Sequence, residues 1–102
     1  MNVFVVTQLS VVGGQQLVNV TVCSDLHSAK SIMDEEIRTL LSDCPKYKGL
    51  NLDEIEAAQY DDDVDCDYYL ERSETSFLIG CAYDDDYLER IEIEEKPLVT
   101  IL

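Results

Sequence analysis

Hydrophobic and polar positions alternate through the first quarter of the chain in the pattern of two β-strands joined by a tight turn. Residues 2–10 are rich in β-branched and aromatic side chains, and a second run of this kind spans Gln15–Cys23. The two runs flank Gly13-Gly14, which predicts a β-hairpin. One face of the second run carries three valines, Val18, Val20 and Val22. The first run is apolar on both faces, which is typical of a central strand.

A helical spacing of hydrophobic residues follows the hairpin. Apolar side chains recur every three or four residues and form one stripe, made of Leu26, Ala29, Met33, Ile37 and Leu40. This spacing predicts an amphipathic helix, and Ser24 or Asp25 is placed to cap its N-terminus. We expect the helix to end near Asp43, because Pro45 disfavours helical geometry at the residue before it.

The second half of the chain predicts another helix and then a meander of strands. Residues Leu52–Tyr60 favour a short helix with Asn51 or Asp53 as its N-cap, after a loop at 46–49. Three strands follow, separated by turns at 73–75 and 84–86: Asp67–Arg72, Ser76–Tyr83 with a break at Gly80, and Tyr87–Lys96. Pro97 limits the last strand or marks a sheet edge.

The order of these elements predicts the fold class. Within the last strand, alternation places Ile91 and Ile93 inward and the charged residues between them outward. The order ββα(α)βββ predicts an α+β fold with two layers, in which one main helix packs on one face of an antiparallel sheet. A length of 102 residues fits a single domain, 1–102.

All of the net charge falls in one stretch of the chain. The segment Asp53–Glu95 contains seventeen acidic and two basic residues, a net of −15, while five acidic and five basic residues elsewhere cancel. A one-sided negative field attracts cationic surfaces and repels nucleic acid and anionic lipid. Apolar residues continue through the stretch, so we expect it to fold and to hold its carboxylates on a fixed surface. We expect no direct binding of nucleic acid or membrane.

The chain offers little for catalysis. His27 is the only histidine in the sequence, and it falls in the first turn of the predicted helix, where the helix dipole disfavours a cation. No Gly-rich phosphate loop, G-x-S-x-G or H-E-x-x-H motif occurs in the sequence. These features predict a non-enzymatic protein with no catalytic residues and no cofactor.

One spacing in the acidic stretch resembles a calcium-binding loop. Asp63, Asp65, Asp67 and Glu74 match the first, third, fifth and twelfth positions of an EF-hand, but Tyr68 occupies the position that requires glycine. We therefore predict no metal site. Weak association of a divalent cation with the clustered carboxylates stays an alternative.

The four cysteines are widely spaced and contain no C-x-x-C pair. They are Cys23, Cys44, Cys66 and Cys81. This usage is typical of free thiols in a reducing cytosol, although spacing alone leaves two disulfides open.

The acidic residues form three clusters with tyrosines between them. The clusters are Asp61, Asp62, Asp63, Asp65 and Asp67; Asp84, Asp85 and Asp86; and Glu89, Glu92, Glu94 and Glu95. The neighbouring tyrosines are Tyr68, Tyr69, Tyr83 and Tyr87. Duplex DNA likewise presents closely spaced negative charge to Lys and Arg side chains. We predict that these residues form a partner-binding surface, with the clusters either on one broad face or on opposite rims.

A chain of about 100 residues with clustered Asp and Glu and scattered Tyr resembles the acidic DNA-mimic inhibitors of phages and mobile elements, including antirestriction and anti-CRISPR proteins. The layout, with the ending Tyr83-Asp84-Asp85-Asp86-Tyr87 … Ile91-Glu92-Ile93-Glu94-Glu95-Lys96-Pro97-Leu98, is similar to that of other small proteins of such elements. The resemblance implies a target that binds DNA, such as a nuclease, restriction enzyme or CRISPR component. It also implies stoichiometric inhibition without a cofactor, in the cytoplasm of a bacterial host.

The sequence thus predicts an inhibitor that occupies the basic nucleic-acid-binding groove of a partner protein. One alternative is a homo-oligomeric interaction protein, such as a homodimer, that uses an exposed sheet edge and whose acidic face is merely solvated. Another alternative is a weak binder of divalent cations.

Overall fold

Within residues 1–63 and 65–98, the part of the chain described by the structure, five strands pair into one antiparallel sheet. The structure is a computed structural model. Its strands are β1 (Asn2–Val12), β2 (Gln15–Cys23), β3 (Tyr68–Arg72), β4 (Ser76–Cys81) and β5 (Asp84–Pro97), and its helices are α1 (Leu26–Asp43) and α2 (Leu52–Gln59). The strand order β2-β1-β5-β4-β3 confirms the predicted α+β class and the internal position of β1.

The hairpin of β1 and β2 closes through the two glycines. Gly13 and Gly14 have φ angles of 60° and 80°, and Val12 pairs directly with Gln15 on either side of them. Positive φ at both central residues suits the right-handed twist of the two strands and favours glycine. This pairing carries β1 two residues beyond the predicted end at residue 10.

Side-chain caps set the beginnings of both helices, as predicted. The Asp25 carboxylate accepts a hydrogen bond from the Ser28 backbone N–H at 2.7 Å. The Asn51 side chain accepts hydrogen bonds from the N–H groups of Asp53 and Glu54 at 3.0 and 3.2 Å. Each cap satisfies a backbone donor that has no partner inside its helix.

Both helices pack on one face of the sheet and form the core there. The residues that they bury are Ala29, Met33, Leu40 and Ile55, and the sheet residues that they meet include Val6, Leu70, Phe77, Ile79, Ile91 and Ile93. The opposite face, which we call the open face, carries the alternate residues of each strand. On β2 these include the three valines Val18, Val20 and Val22.

The loop between the helices adds the largest fully buried side chain of the core. Tyr47 is 0% exposed, and its ring centroid lies 6.0 Å from that of Tyr68. The loop bends back through Gly49, whose φ is 76° and whose N–H donates to the carbonyl of Leu41. Nothing in the loop sequence had marked Tyr47 as a core residue.

The turn between β4 and β5 differs from the predicted one. Residues 84–86 were expected to form the turn, whereas Ala82 and Tyr83 form it and β5 begins at Asp84, which pairs with Cys81. A register shift at Gly80 and Cys81 accompanies the change. An irregularity of this kind inserts residues into one strand without ending its pairing, so the aspartates lie at the start of a strand.

The two edge strands of the sheet differ in whether another part of the chain covers them. The Gln59 side chain of α2 donates to the Leu70 carbonyl at 2.7 Å and accepts from the Leu70 N–H at 2.9 Å, so the helix covers the outer edge of β3. Arg72 strengthens this attachment through ion pairs with Asp53 and Glu56. The other edge strand, β2, is exposed from Gln15 to Val22.

Candidate functional site

Two of the three acidic clusters meet at one end of the sheet. The Tyr83 hydroxyl donates to the Asp65 carboxylate at 2.6 Å, and the Ala82 N–H donates to the Asp67 carbonyl at 2.8 Å. These contacts join the loop that follows α2 to the turn between β4 and β5. We call the two joined segments the acidic end and count in it their eight aspartates: Asp61, Asp62, Asp63, Asp65, Asp67, Asp84, Asp85 and Asp86.

Short-range hydrogen bonds order the backbone of both segments. The Asp61 side chain accepts from the N–H of Asp63 at 3.0 Å, and the Asp84 side chain accepts from the N–H of Asp86 at 3.1 Å. Aspartate commonly bonds to the backbone two residues ahead in this way. The Gly14 N–H also donates to the Asp86 carbonyl at 3.2 Å, so the β1–β2 turn borders the acidic end.

The carboxylates of the acidic end are mostly exposed and meet few cations. Lys46 approaches the site: its Nζ atom lies 3.9 Å from Asp84 Oδ2 and 5.1 Å from the centre of the Tyr87 ring. The hydrogen bond to the Asp65 carboxylate, with its negative charge, raises the pKa of Tyr83. One lysine against eight aspartates leaves the surface strongly negative, which attracts a cationic partner over long range.

An open groove of about 350 Å³ adjoins the acidic end. Apolar side chains from α2 and its flanking segments line part of it, including Leu50, Ile55, Ala58 and Tyr68, and the acidic residues Glu54, Asp65 and Asp67 line it as well. Lys and Arg side chains bury an apolar stem and keep a charged head in contact with water or carboxylate. The groove therefore has the chemistry to accept one basic side chain.

The third cluster does not join the other two. Glu92 and Glu94 lie on the open face, as predicted, but each is neutralised within its own strand, by Arg90 at 3.2 Å and by Lys96 at 3.0 Å. Glu95 accepts a hydrogen bond from the Asn2 side chain. Glu94 lies nine positions along β5 from Asp85, roughly 30 Å at the rise of a β-strand. The predicted row of charge is thus a row of exposed ion pairs.

Glu89 was expected on the partner-binding surface, but the structure buries it. It is 4% exposed and lies under α1, where it accepts a hydrogen bond from the Ser10 hydroxyl at 2.5 Å. The alternation that turns Ile91 and Ile93 inward applies to Glu89 as well, so the strand pattern contained the signal. Burial, together with the charge of Glu36 nearby, raises the pKa of Glu89.

Replacing Glu89 by Gln should stabilise the fold at neutral pH. A raised native pKa means that the native state binds more protons than the unfolded state, so the stability of the wild type falls as pH rises through the raised pKa. Glutamine keeps an acceptor for Ser10 without the buried charge, and we expect a gain on the order of 1 kcal/mol at pH 7. Urea unfolding should show this gain at pH 7 and its disappearance near pH 4; an equal gain at both pH values would contradict the assignment.

The predicted tyrosine anchors divide between core, open face and acidic end. Tyr68 packs on Tyr47 and donates to the Lys46 carbonyl, and Tyr87 is half-buried beneath Lys46. Tyr69 lies on the open face against Gly80, its register partner. Of the four, Tyr83 is the one placed at the acidic end, and it is 70% exposed.

Tyr60 is a further exposed aromatic residue beside the acidic end and was not among the predicted tyrosines. It is 78% exposed and follows α2 immediately before Asp61. The predicted helix ran through this position, which concealed it. Tyr60 directly precedes three aspartates, Asp61 to Asp63, and this position in the sequence is the signal that associates its ring with the acidic end.

The described residues contain no group of three His, Cys, Asp or Glu side chains arranged to hold a metal ion. The spacing that resembles an EF-hand is interrupted because β3 begins at Tyr68, so five extended residues separate Asp67 from the turn that carries Glu74. All four cysteines fall in the described part of the chain and are free thiols. Neither helix of that part is long and apolar enough to cross a membrane.

Comparison of the chain with protein-family models, with curated proteins and with solved structures finds no match.

Proposed function

We propose that the acidic end binds a basic, nucleic-acid-binding groove of a partner protein and inhibits that partner by occupying the place of DNA. The observation that carries the proposal is the convergence of the two aspartate clusters, which the Tyr83–Asp65 hydrogen bond joins across 18 residues of sequence. An ordered set of exposed carboxylates offers a DNA-binding protein the same ligands as a row of phosphates.

The surroundings of the acidic end support this proposal over a merely solvated face. Tyr60 and Tyr83 are exposed there and supply apolar contact area with a hydroxyl, as tyrosines do at the centres of protein interfaces. The groove beside Asp65 and Asp67 suits the stem and head of a basic side chain. Inhibition would be stoichiometric, without a cofactor and without catalysis by this protein.

Two triple variants with the same change in charge test the proposal. Asp84→Asn/Asp85→Asn/Asp86→Asn removes three charges from the acidic end, and Glu92→Gln/Glu94→Gln/Glu95→Gln removes three charges from the paired region of β5. Each variant and the wild type is used to capture proteins from a bacterial lysate at low salt, and bound proteins are eluted by raising the salt concentration.

We expect the aspartate variant to lose on the order of 10-fold or more of the captured partner, and the glutamate variant to retain it. Both variants should remain folded, because Asn can accept the backbone hydrogen bonds that Asp84 accepts and the exposed ion pairs contribute little. Equal loss from both variants would show that capture follows net charge alone. Unchanged capture by the aspartate variant would place the interface elsewhere.

A further inference from the structure

The bare edge of β2 contrasts with the covered edge of β3. The Gln59 side chain occupies the outward backbone groups of Leu70 in β3, whereas Gln15 to Val22 are all exposed in β2. A long, apolar, unpaired edge strand is a template for pairing with another strand, and natural proteins usually protect it with charge, proline or a covering element. β2 contains no charged residue and no proline.

The register of the hairpin shows which backbone groups of β2 are free. In a two-residue hairpin the pair next to the turn, here Val12 and Gln15, exchanges both hydrogen bonds, and bonded pairs then alternate along the strands. The residues that direct their N–H and C=O groups away from β1 are therefore Gln16, Val18, Val20 and Val22. The three valines are 60%, 59% and 62% exposed, and their side chains form a row on the open face.

We infer that β2 pairs with β2 of a second copy of this chain, which gives a symmetric dimer with one continuous ten-stranded sheet. The charge distribution favours this partner. Each copy carries a net charge of −15, so two copies associate only where the carboxylates stay apart. Antiparallel pairing of the neutral β2 strands puts the two acidic ends at opposite ends of the joint sheet, about 30 Å apart along the strand, against a screening length of about 10 Å at 0.1 M salt.

The pairing is self-complementary in register. With the two-fold axis at Asn19, Val18 of one copy lies opposite Val20 of the second, and Gln16 lies opposite Val22. All outward backbone groups are then satisfied by about eight hydrogen bonds, and valines meet valines on the open face. The shared contact uses the same strand of both copies, so the assembly closes as a dimer.

The strip of contact is narrow, which sets the expected affinity. A nine-residue strand edge offers a strip about 30 Å long and about 10 Å wide, or about 600 Å² over the two copies, which is the range of weak, reversible contacts and below that of stable interfaces. We expect a dissociation constant on the order of 10 μM. Because the dimer leaves both acidic ends exposed, this inference does not depend on the proposed function.

Sedimentation velocity over a wide concentration range tests the dimer. We expect the wild type to pass from monomer to dimer and Val20→Pro to stay monomeric. The N–H that proline removes points away from β1 and is not needed for the β1–β2 pairing, and proline is tolerated at a strand edge. Val20→Lys places a charge at the same edge and should also stay monomeric. This second variant keeps the test valid if the proline variant folds poorly. Ser31→Lys, which adds the same charge at an exposed position of α1, should dimerise like the wild type.

Salt and a charge variant separate this inference from the proposed function. Dimerisation should persist or tighten at high salt, since screening relieves repulsion between like-charged copies, and it should persist in Asp84→Asn/Asp85→Asn/Asp86→Asn. A wild type that stays monomeric at the highest concentrations would overturn the inference. Growth into larger assemblies, or dimers of both Val20 variants with wild-type affinity, would overturn it as well.

Discussion

Tyr47→Ala should lower the free energy of unfolding by about 3–5 kcal/mol, the range for deleting a large aromatic side chain from a protein core. The Tyr47 side chain is 0% exposed and packs against Tyr68, the first residue of β3. Its loss leaves a cavity between the inter-helix loop and the sheet. For a domain of this size, such a loss removes a large share of the total stability.

Tyr47→Phe should leave the free energy of unfolding unchanged or raise it. The Tyr47 hydroxyl is buried and has no hydrogen-bond partner among the described residues, and burial raises the pKa of the side chain, so the phenol stays neutral. Removing an unsatisfied buried hydroxyl while keeping the ring should be neutral or stabilising, by up to about 1 kcal/mol.

Chemical denaturation of both Tyr47 variants and the wild type at one pH measures the two effects on one scale. A Phe variant that is destabilised by more than about 1 kcal/mol would show that the hydroxyl has a partner, since losing a satisfied buried bond costs this much.

Local patterns predicted most of the individual elements. Alternation identified the hairpin and the inward Ile91 and Ile93. Side-chain chemistry narrowed each cap to two residues, Ser24 or Asp25 and Asn51 or Asp53, of which Asp25 and Asn51 are the caps observed. These features depend on residues within a few positions of one another. Periodicity and capping are local effects, so they can be recognised without knowing the tertiary structure.

Features that depend on distant contacts could not be predicted in the same way. The burial of Tyr47 depends on β3, more than twenty residues later, and the meeting of the acidic clusters depends on Tyr83 reaching Asp65. The turn at Ala82 and Tyr83 displaced the predicted one because Asp84 pairs with Cys81. For Glu89 the local pattern is sufficient, because the residue lies two positions before Ile91 and therefore shares its inward face.

The proposed complex of the acidic end with a basic partner should weaken steeply with salt. Eight aspartates and one nearby lysine produce attraction that acts beyond direct contact, and this attraction is screened over about 10 Å at 0.1 M salt. Between about 0.05 and 0.5 M NaCl we expect the association rate to fall on the order of 10- to 100-fold, with a smaller change in the dissociation rate. Surface plasmon resonance on the purified partner measures both rates. A salt-insensitive association rate would exclude the acidic end as the surface that meets the partner first.

Competition between this protein and duplex DNA for the purified partner is the most direct test of the proposed inhibition. Labelled duplex is bound to the partner and titrated with wild-type protein, with the aspartate triple variant and with the matched glutamate variant. We predict that the wild type and the glutamate variant displace the duplex completely at stoichiometric amounts, that the aspartate variant needs at least about ten times more, and that this protein alone does not bind the duplex. A stable ternary complex of partner, duplex and this protein, with neither weakening the other, would contradict the account.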